Sequence, residues 1–187
     1  MGLSDSPGSG PGIWPRLPRG SPFGTMNSPR RLHGSDSQDL HVVLELVRRE
    51  FAYMDGLIDP PSSVHRLTID DLASGPGEVW AIGTPPHSCV VLTPKPYVLY
   101  VGKLAVAASE RGQGHANLLM AQAERRATEL GLSWLELQTR IELIANQQTF
   151  IAMGFVETER TAHPGFDRPT SITYRRPVMT GSDGFAE

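Results

Sequence analysis

Apolar residues along the chain change period several times, and the changes mark the elements. Leu40, Val43, Leu44, Val47 and Phe51 share one face of a helix that ends near Met54. Ser35 and Gln38 stand ahead of it at capping-box spacing. Pro60 and Pro61 forbid helix in the segment that follows, DGLIDPPSS. Thr68 with Asp71 predicts the cap of a short helix, which Gly75-Pro76-Gly77 ends. Strands are predicted at 78–82 (EVWAI) and 89–93 (CVVLT), joined by a hairpin-type loop over 83–88. Pro94-Lys95-Pro96 is expected to break the second strand from a longer apolar run at 97–106, YVLYVGKLAV.

Ala116, Leu119, Met120, Ala123, Ala127 and Leu130 then lie on one face of a helix over about 115–130, with Gly131 as its stop. WLELQT at 134–139 alternates as a strand does. A helix over 142–153 is stopped by Gly154, and strands follow at 155–160 and 170–176 around the loop TAHPGFDRP. With a short first strand inside 28–34, the order is β-α-α-β-β-β-α-β-α-β-β. Hairpin-linked strands combined with one helical crossover predict an α+β (mixed α/β) domain, its mostly antiparallel central sheet flanked by helices.

Composition sets the limits of that domain. Residues 1–27 are dominated by Gly, Pro and Ser, which hold no apolar periodicity, so a disordered tail is expected there. Met26 is an alternative start of translation. The domain is expected over 28–178, with a flexible tail over 179–187. The single cysteine, Cys89, lies in an apolar run and reads as a small buried hydrophobe. It excludes an intrachain disulfide and a cysteine-based zinc site. His33, His41, His65, His87, His115 and His163 do not fall at metal-ligand spacing, so no metal is expected. No apolar run is long enough to span a membrane, and a cytoplasmic protein is expected. The net charge of −3 gives no reason to expect nucleic acid as a partner. Arg16, Arg19, Arg30 and Arg31 against Asp5 give residues 1–34 a balance of +3, which leaves −6 on the remainder. An acidic body is compatible with a cationic amine, and it is more often just a soluble surface.

Chemistry concentrates where the run 97–106 meets the helix after it. The intervening turn is Arg111-Gly112-Gln113-Gly114-His115-Ala116. A helix start carries unpaired N–H groups and the positive end of the helix dipole, so it favours phosphate oxygens. Gly112 and Gly114 admit close backbone approach, and Arg111 adds a fixed charge. The spacing fits neither a dinucleotide fingerprint nor a Walker A loop.

The turn resembles the acetyl-coenzyme A signature of the GNAT (Gcn5-related) N-acetyltransferase superfamily: Arg or Gln, any two residues, Gly, any one, Gly or Ala. The step Leu104-Ala105-Val106 resembles the end of that family's preceding strand. The predicted element order also matches the GNAT fold. The resemblance implies that the backbone of Gln113, Gly114, His115 and Ala116 holds the pyrophosphate of acetyl-CoA. It also implies that Leu104 and Val106 pair with the pantetheine arm as an added strand would. Residues 145–155, ANQQTFIAMGF, resemble a second family motif in which an Asn starts a helix and Gly-Phe closes it, which assigns Asn146 to the pantetheine region.

Phe150 departs from the family pattern, because many members carry there a Tyr whose phenol protonates the departing thiolate. Phe has no proton to give and is expected to pack against the pantetheine. Tyr53, Tyr100 and Tyr174 are the candidate substitutes. The resemblance implies transfer of acetyl from acetyl-CoA to a primary amine by direct attack in a ternary complex. The absent acid keeps open an alternative, a coenzyme A-binding regulatory or interaction module with little catalysis.

The attacking amine must lose a proton. Glu136 is a candidate base acting through water, or else a solvent-facing strand carboxylate. Gly102 stands near the bulge that, in family members, frees a backbone N–H for the developing oxyanion. The loops 51–66 and 161–171 combine aromatics, acids, prolines and a cation. Tyr53, Asp55, His163 and Asp167 are the candidate acceptor contacts there, alternatively residues that stabilise their own loops. The acceptor is expected to be a small-molecule or protein amine, and the chain a monomer or homodimer.

Overall fold

The computed structural model describes residues 28–179. The tail expected at 1–27, and all but Met179 of the one expected at 179–187, lie outside the described residues. The elements follow the predicted order: β1 (Arg30–Leu32), α1 (Ser37–Phe51), α2 (Ile69–Ser74), β2 (Glu78–Ile82), β3 (Ser88–Lys95), β4 (Val98–Val106), α3 (His115–Glu129), β5 (Trp134–Arg140), α4 (Ile144–Ala152), β6 (Val156–Thr161) and β7 (Ser171–Pro177). Short 3-10 turns occupy Ala52–Met54, Ser63–Arg66 and Ala108–Glu110.

Seven strands form one sheet in the order β1-β2-β3-β4-β5-β7-β6. Every neighbouring pair is antiparallel except β4 and β5, which the α3 crossover makes parallel. Each face carries its own apolar core. Ile82, Leu92, Leu99, Leu135, Leu137, Phe155 and Tyr174 pack with Leu119, Met120 and Ala123 of α3. On the opposite face Val79, Ala81, Cys89 and Ala105 pack with Leu40, Val43, Leu44 and Val47 of α1 and with Leu72 of α2. The periodicity of these apolar stripes therefore decides which side of the sheet each helix covers.

Ion pairs anchor α3. Arg126 donates from Nε and Nη2 to the Glu78 carboxylate of β2 at 2.9 and 2.7 Å, and Arg176 of β7 reaches Glu124 at 2.6 Å. The Thr68–Asp71 capping box is present in both directions. The expected box at Ser35 and Gln38 is not: α1 begins one residue after Asp36, whose carboxylate accepts from the His33 N–H at 2.7 Å instead. The break expected at Pro94-Lys95-Pro96 separates β3 from β4, but Pro94 itself stays inside β3. It is the next-to-last residue of the strand, opposite Leu99, where the edge of the ladder tolerates a missing donor.

Phe155 is 2 % exposed and meets Phe150 edge-on, with ring centroids 6.4 Å apart. Phe155→Ala leaves a cavity between α4 and the sheet and is expected to cost about 3–5 kcal/mol of stability in urea unfolding.

Candidate active site

The parallel pair opens the site. β4 and β5 pair only at Val98–Trp134, Leu99–Leu135 and Tyr100–Glu136. Beyond these positions β4 continues to Val106 and β5 to Arg140 without a shared ladder. A bulge assists the parting: the β3–β4 register shifts between Cys89 and Val91, so that Gly102 and Ala105 flank two residues opposing Val90 alone. Lys103, inside the bulge, has a φ of +52°, a conformation most side chains avoid. Between the parted strands lies a cleft of about 890 Å³. Gly102, Leu104 and Val106 line one wall, and Leu137, Gln138 and Arg140 the other.

At the end of β4 the cleft meets a second concavity of about 340 Å³, lined by Val106, Glu110, Arg111, Gly112, Gly114, His115, Ala116 and Asn117. Gly112 and Gly114 have φ of +80° and +82°, and a side chain at either would project into open space within the turn. Gly114 precedes α3, and its carbonyl accepts the first intrahelical bond, from Leu118. The N–H groups of the first turn of α3 thus have no helical partner, which is the environment an anionic phosphate requires. Arg111 stands beside them, exposed, donating to Glu50 at 2.6 Å. Gln113 is exposed and donates to Glu110 at 3.0 Å. His115 offers this turn its backbone only. Its ring is 2 % exposed, turned under the helix, with Nδ1 3.4 Å from Ser88 Oγ.

His87, Glu110 and His115 bring one ligand atom each within 4.8 Å of one another, a juxtaposition their sequence spacing hides. It stands at the positive end of the α3 dipole, which opposes a cation. Ser88 Oγ lies within hydrogen-bond reach of both imidazoles, at 3.1 and 3.4 Å.

The third side is α4. Asn146 does not start this helix; Leu143 is its N-cap, and Asn146 stands in its first turn. Its amide donates to the Tyr53 hydroxyl at 2.9 Å, linking α4 to the segment after α1. Phe150 lines the cleft and packs toward Phe155 and Tyr174. Tyr53 and Tyr100 line the same cleft, whereas Tyr174 is 1 % exposed inside the core, away from it. Burial and the nearby Glu136 charge raise the Tyr100 pKa, so that phenol keeps its proton.

Three expected contacts fall elsewhere. Glu136 is not solvent-facing and does not line the cleft: it is 6 % exposed, held by Lys95 at 3.0 Å and by Arg175 at 2.9 and 2.8 Å. Burial pushes its pKa up, but the hydrogen bonds from Lys95 and Arg175 outweigh this and leave it below the ordinary carboxylate value. A carboxylate so satisfied is a poor base. Asp55 pairs with His65 Nε2 at 2.7 Å and does not line the cleft. Asp167 is exposed on its loop, also away from the cleft.

His163 does line the cleft, with its N–H and Nδ1 on Thr170 Oγ1 at 2.9 and 2.6 Å. Burial, then the Arg140 charge, lower its pKa and favour the neutral ring. Sequence reasoning missed Lys103, Ser63 and Arg140, all in the lining. Arg140 donates to the carbonyls of Pro60 at 2.7 Å and Thr170 at 2.9 Å, tying both loops to β5. A basic residue in a strand carries no local sign of such partners, which are remote in sequence.

Comparison with known proteins agrees with this geometry. The family model described as "Acetyltransferase (GNAT) family" matches residues 63–155. No curated protein matches the chain. Among solved structures, the ribosomal-protein-S18-alanine N-acetyltransferase from Escherichia coli superposes with a TM-score of 0.61 at 17% identity, covering 87% of this chain and 100% of that one. Ard1 from Thermoplasma volcanium gives 0.60 at 15% identity, covering 83% and 100%. The NatC complex bound to Gag peptide and CoA gives 0.55 at 20% identity, covering 81% and 98%. At these identities the likeness is one of fold.

Glu136→Gln removes the charge that Lys95 and Arg175 share. It is expected to lower stability at pH 7 by about 1–2 kcal/mol, less than for a fully buried pair because both partners are partly exposed. The folded pKa is depressed, so the wild-type advantage is present above the unfolded value of about 4.3 and fades as pH falls through the folded one. Urea unfolding of both proteins across that range checks it.

Proposed function

The chain belongs to the GNAT acetyltransferase family, and on that premise we propose that it transfers an acetyl group from acetyl-CoA to a primary amine by direct attack in a ternary complex. The observation that carries this reading is the parting of β4 and β5, which runs into a glycine-built anion cradle at the start of α3. When bound, acetyl-CoA supplies the activated acetyl thioester. The residues fit it. Backbone groups of Leu104 and Val106, on the side of β4 without a ladder, suit an extended arm that pairs as a strand does. The first-turn N–H groups of α3 and the Arg111 side chain suit the pyrophosphate. The irregular backbone of Gly102 and the bulge supports the reading that an N–H there meets developing negative charge.

Direct attack is favoured by the state of the only cysteine. Cys89 is fully buried, and burial pushes its thiol up to about 12, so it is no acetyl carrier. The amine's proton is assigned to His163, directly or through water, in place of Glu136. His163 lines the cleft and is held neutral, as a base must be. Phe150 supplies no acid, and a thiol pKa near about 8.5 lets the thiolate depart without one, at a cost of about 10²- to 10⁴-fold in rate. That absence favours a second reading, a coenzyme A-binding module without turnover.

Calorimetry with acetyl-CoA tests the donor site. Gly114→Val, strained at a φ of +82° and projecting into the cradle, is expected to weaken binding by about tenfold or more; unchanged affinity sinks the assignment. Thiol release in the presence of an amine panel separates the two readings, since the module binds without turnover. His163→Gln is expected to lower kcat/KM by about 10²- to 10⁴-fold. Wild-type activity then rises with pH through a midpoint below the ordinary histidine value of 6.5, a limb the variant lacks.

A further inference from the structure

The charge of the cleft is opposite to that of the chain. The protein carries −3, yet the cleft is lined by Arg66, Lys103, Arg111 and Arg140 with Glu50 as the one carboxylate among its described residues. Glu50 is already shared between Arg49 at 3.1 Å and Arg111 at 2.6 Å. Arg111 belongs to the phosphate cradle, and Arg140 has Glu142 at 3.9 Å and two loop carbonyls. Arg66 and Lys103 have no ion pair among the described residues; Arg66 is exposed to water, and Lys103 differs in its burial. Lys103 is half-buried, and among the described residues no carboxylate lies within 4.0 Å of its ammonium. Its Nζ donates to the Ser63 hydroxyl at 3.2 Å. Burial alone lowers its pKa. A desolvated cation without a counter-charge is costly to hold, and an anion entering the cleft relieves that cost.

The anion is not the pyrophosphate. Three residue steps along the strand separate Lys103 from Val106, about 10 Å, and the cradle lies beyond. Lys103 instead faces Ser63, in the loop between α1 and α2, on the acceptor side. Several contacts tie together the segments that bound that side. Asn146 donates to Tyr53 at 2.9 Å, Met54 and Ile58 pack with Leu143, and Arg140 pins Pro60 and Thr170. A site bounded in this way admits a small molecule more readily than a protein surface.

We propose, resting on the acetyl-transfer reading of this cleft, that the acceptor is a small amine bearing a carboxylate, as an α-amino acid does, and that Lys103 with the Ser63 hydroxyl receives that carboxylate while Arg66 at the rim attracts it. The amine nitrogen forms the new N–C bond as the C–S bond breaks. Of the two protons the ammonium form loses, one goes to His163 and one to the departing sulfur. This reverses the cationic acceptor with which the acidic composition is compatible.

The test uses the full chain and matched pairs of probes: free amino acids against their carboxamides in thiol-release assays, and N-acetylated amino acids against the corresponding amides in calorimetry of the CoA-saturated protein. Acids are expected to exceed amides by about tenfold or more in kcat/KM or in affinity. Lys103→Gln is expected to raise the acceptor KM by about tenfold, with kcat and the acetyl-CoA KM nearly unchanged, and Lys103→Arg to restore part of the loss. The inference is overturned if amides or polyamines serve as well as acids. It is equally overturned if no acid binds at about 10 mM, or if Lys103→Gln lowers kcat with an unchanged acceptor KM, which would place Lys103 at the reacting centre. Titration of the same samples with acetyl-CoA keeps the two readings apart: retained donor binding without carboxylate selectivity defeats only this inference, and absent donor binding defeats both.

Discussion

Backbone hydrogen bonding sets the constraint on which the site depends. A strand inside a sheet must have its N–H and C=O groups satisfied, and β4 meets this demand toward β5 over only three positions before the two strands part. The bulge opposite Val90 and the left-handed Lys103 turn the second half of β4 away from its earlier course. What remains is a run of strand edge lining a cleft inside the sheet, open to an extended partner. The rest of the fold holds that opening in place. Leu135 and Leu137 pin β5 to the α3 face, Glu78 grips Arg126, and Arg176 ties β7 to both α3 and the end of α4.

The two halves of the cleft are built on different physics. The half proposed for the donor is mostly backbone: left-handed glycines, a helix start and an unladdered strand edge, with Arg111 and Glu110 as the charged side chains beside them. The half proposed for the acceptor is made of side chains from distant segments. Arg140 joins loop carbonyls from both sides, His163 rests on Thr170, and Lys103 reaches Ser63. On the proposed reading electrostatic selection belongs to this second half, where burial strengthens each charge.

Legibility in the sequence followed the same division. The GNAT-type turn over 111–116, the element order and the Thr68–Asp71 cap all depend on near neighbours, and the structure shows each of them. Glu136 was misread because alternation along β5 says which face a residue takes and nothing about what stands opposite. The opposing groups, Lys95 and Arg175, come from β3 and β7 and turn an apparent solvent-facing acid into a buried ion-pair centre. Asp55 takes the second of its two readings, a residue that stabilises its own loop, and its partner His65 is one that composition does not reveal. Asn146 was placed at a helix start by motif, whereas the helix begins two residues earlier and the amide serves a cross-cleft bond to Tyr53.

Sequence by itself determined the order of elements, the faces they bury and the phosphate-type turn, because periodicity, capping and glycine conformations act over a few residues. Tertiary structure alone decided where β4 leaves β5, which carboxylates are neutralised, and which half-buried cation of the cleft has no carboxylate beside it among the described residues. Those outcomes depend on pairings between segments far apart in the chain, and only the folded sheet brings them together.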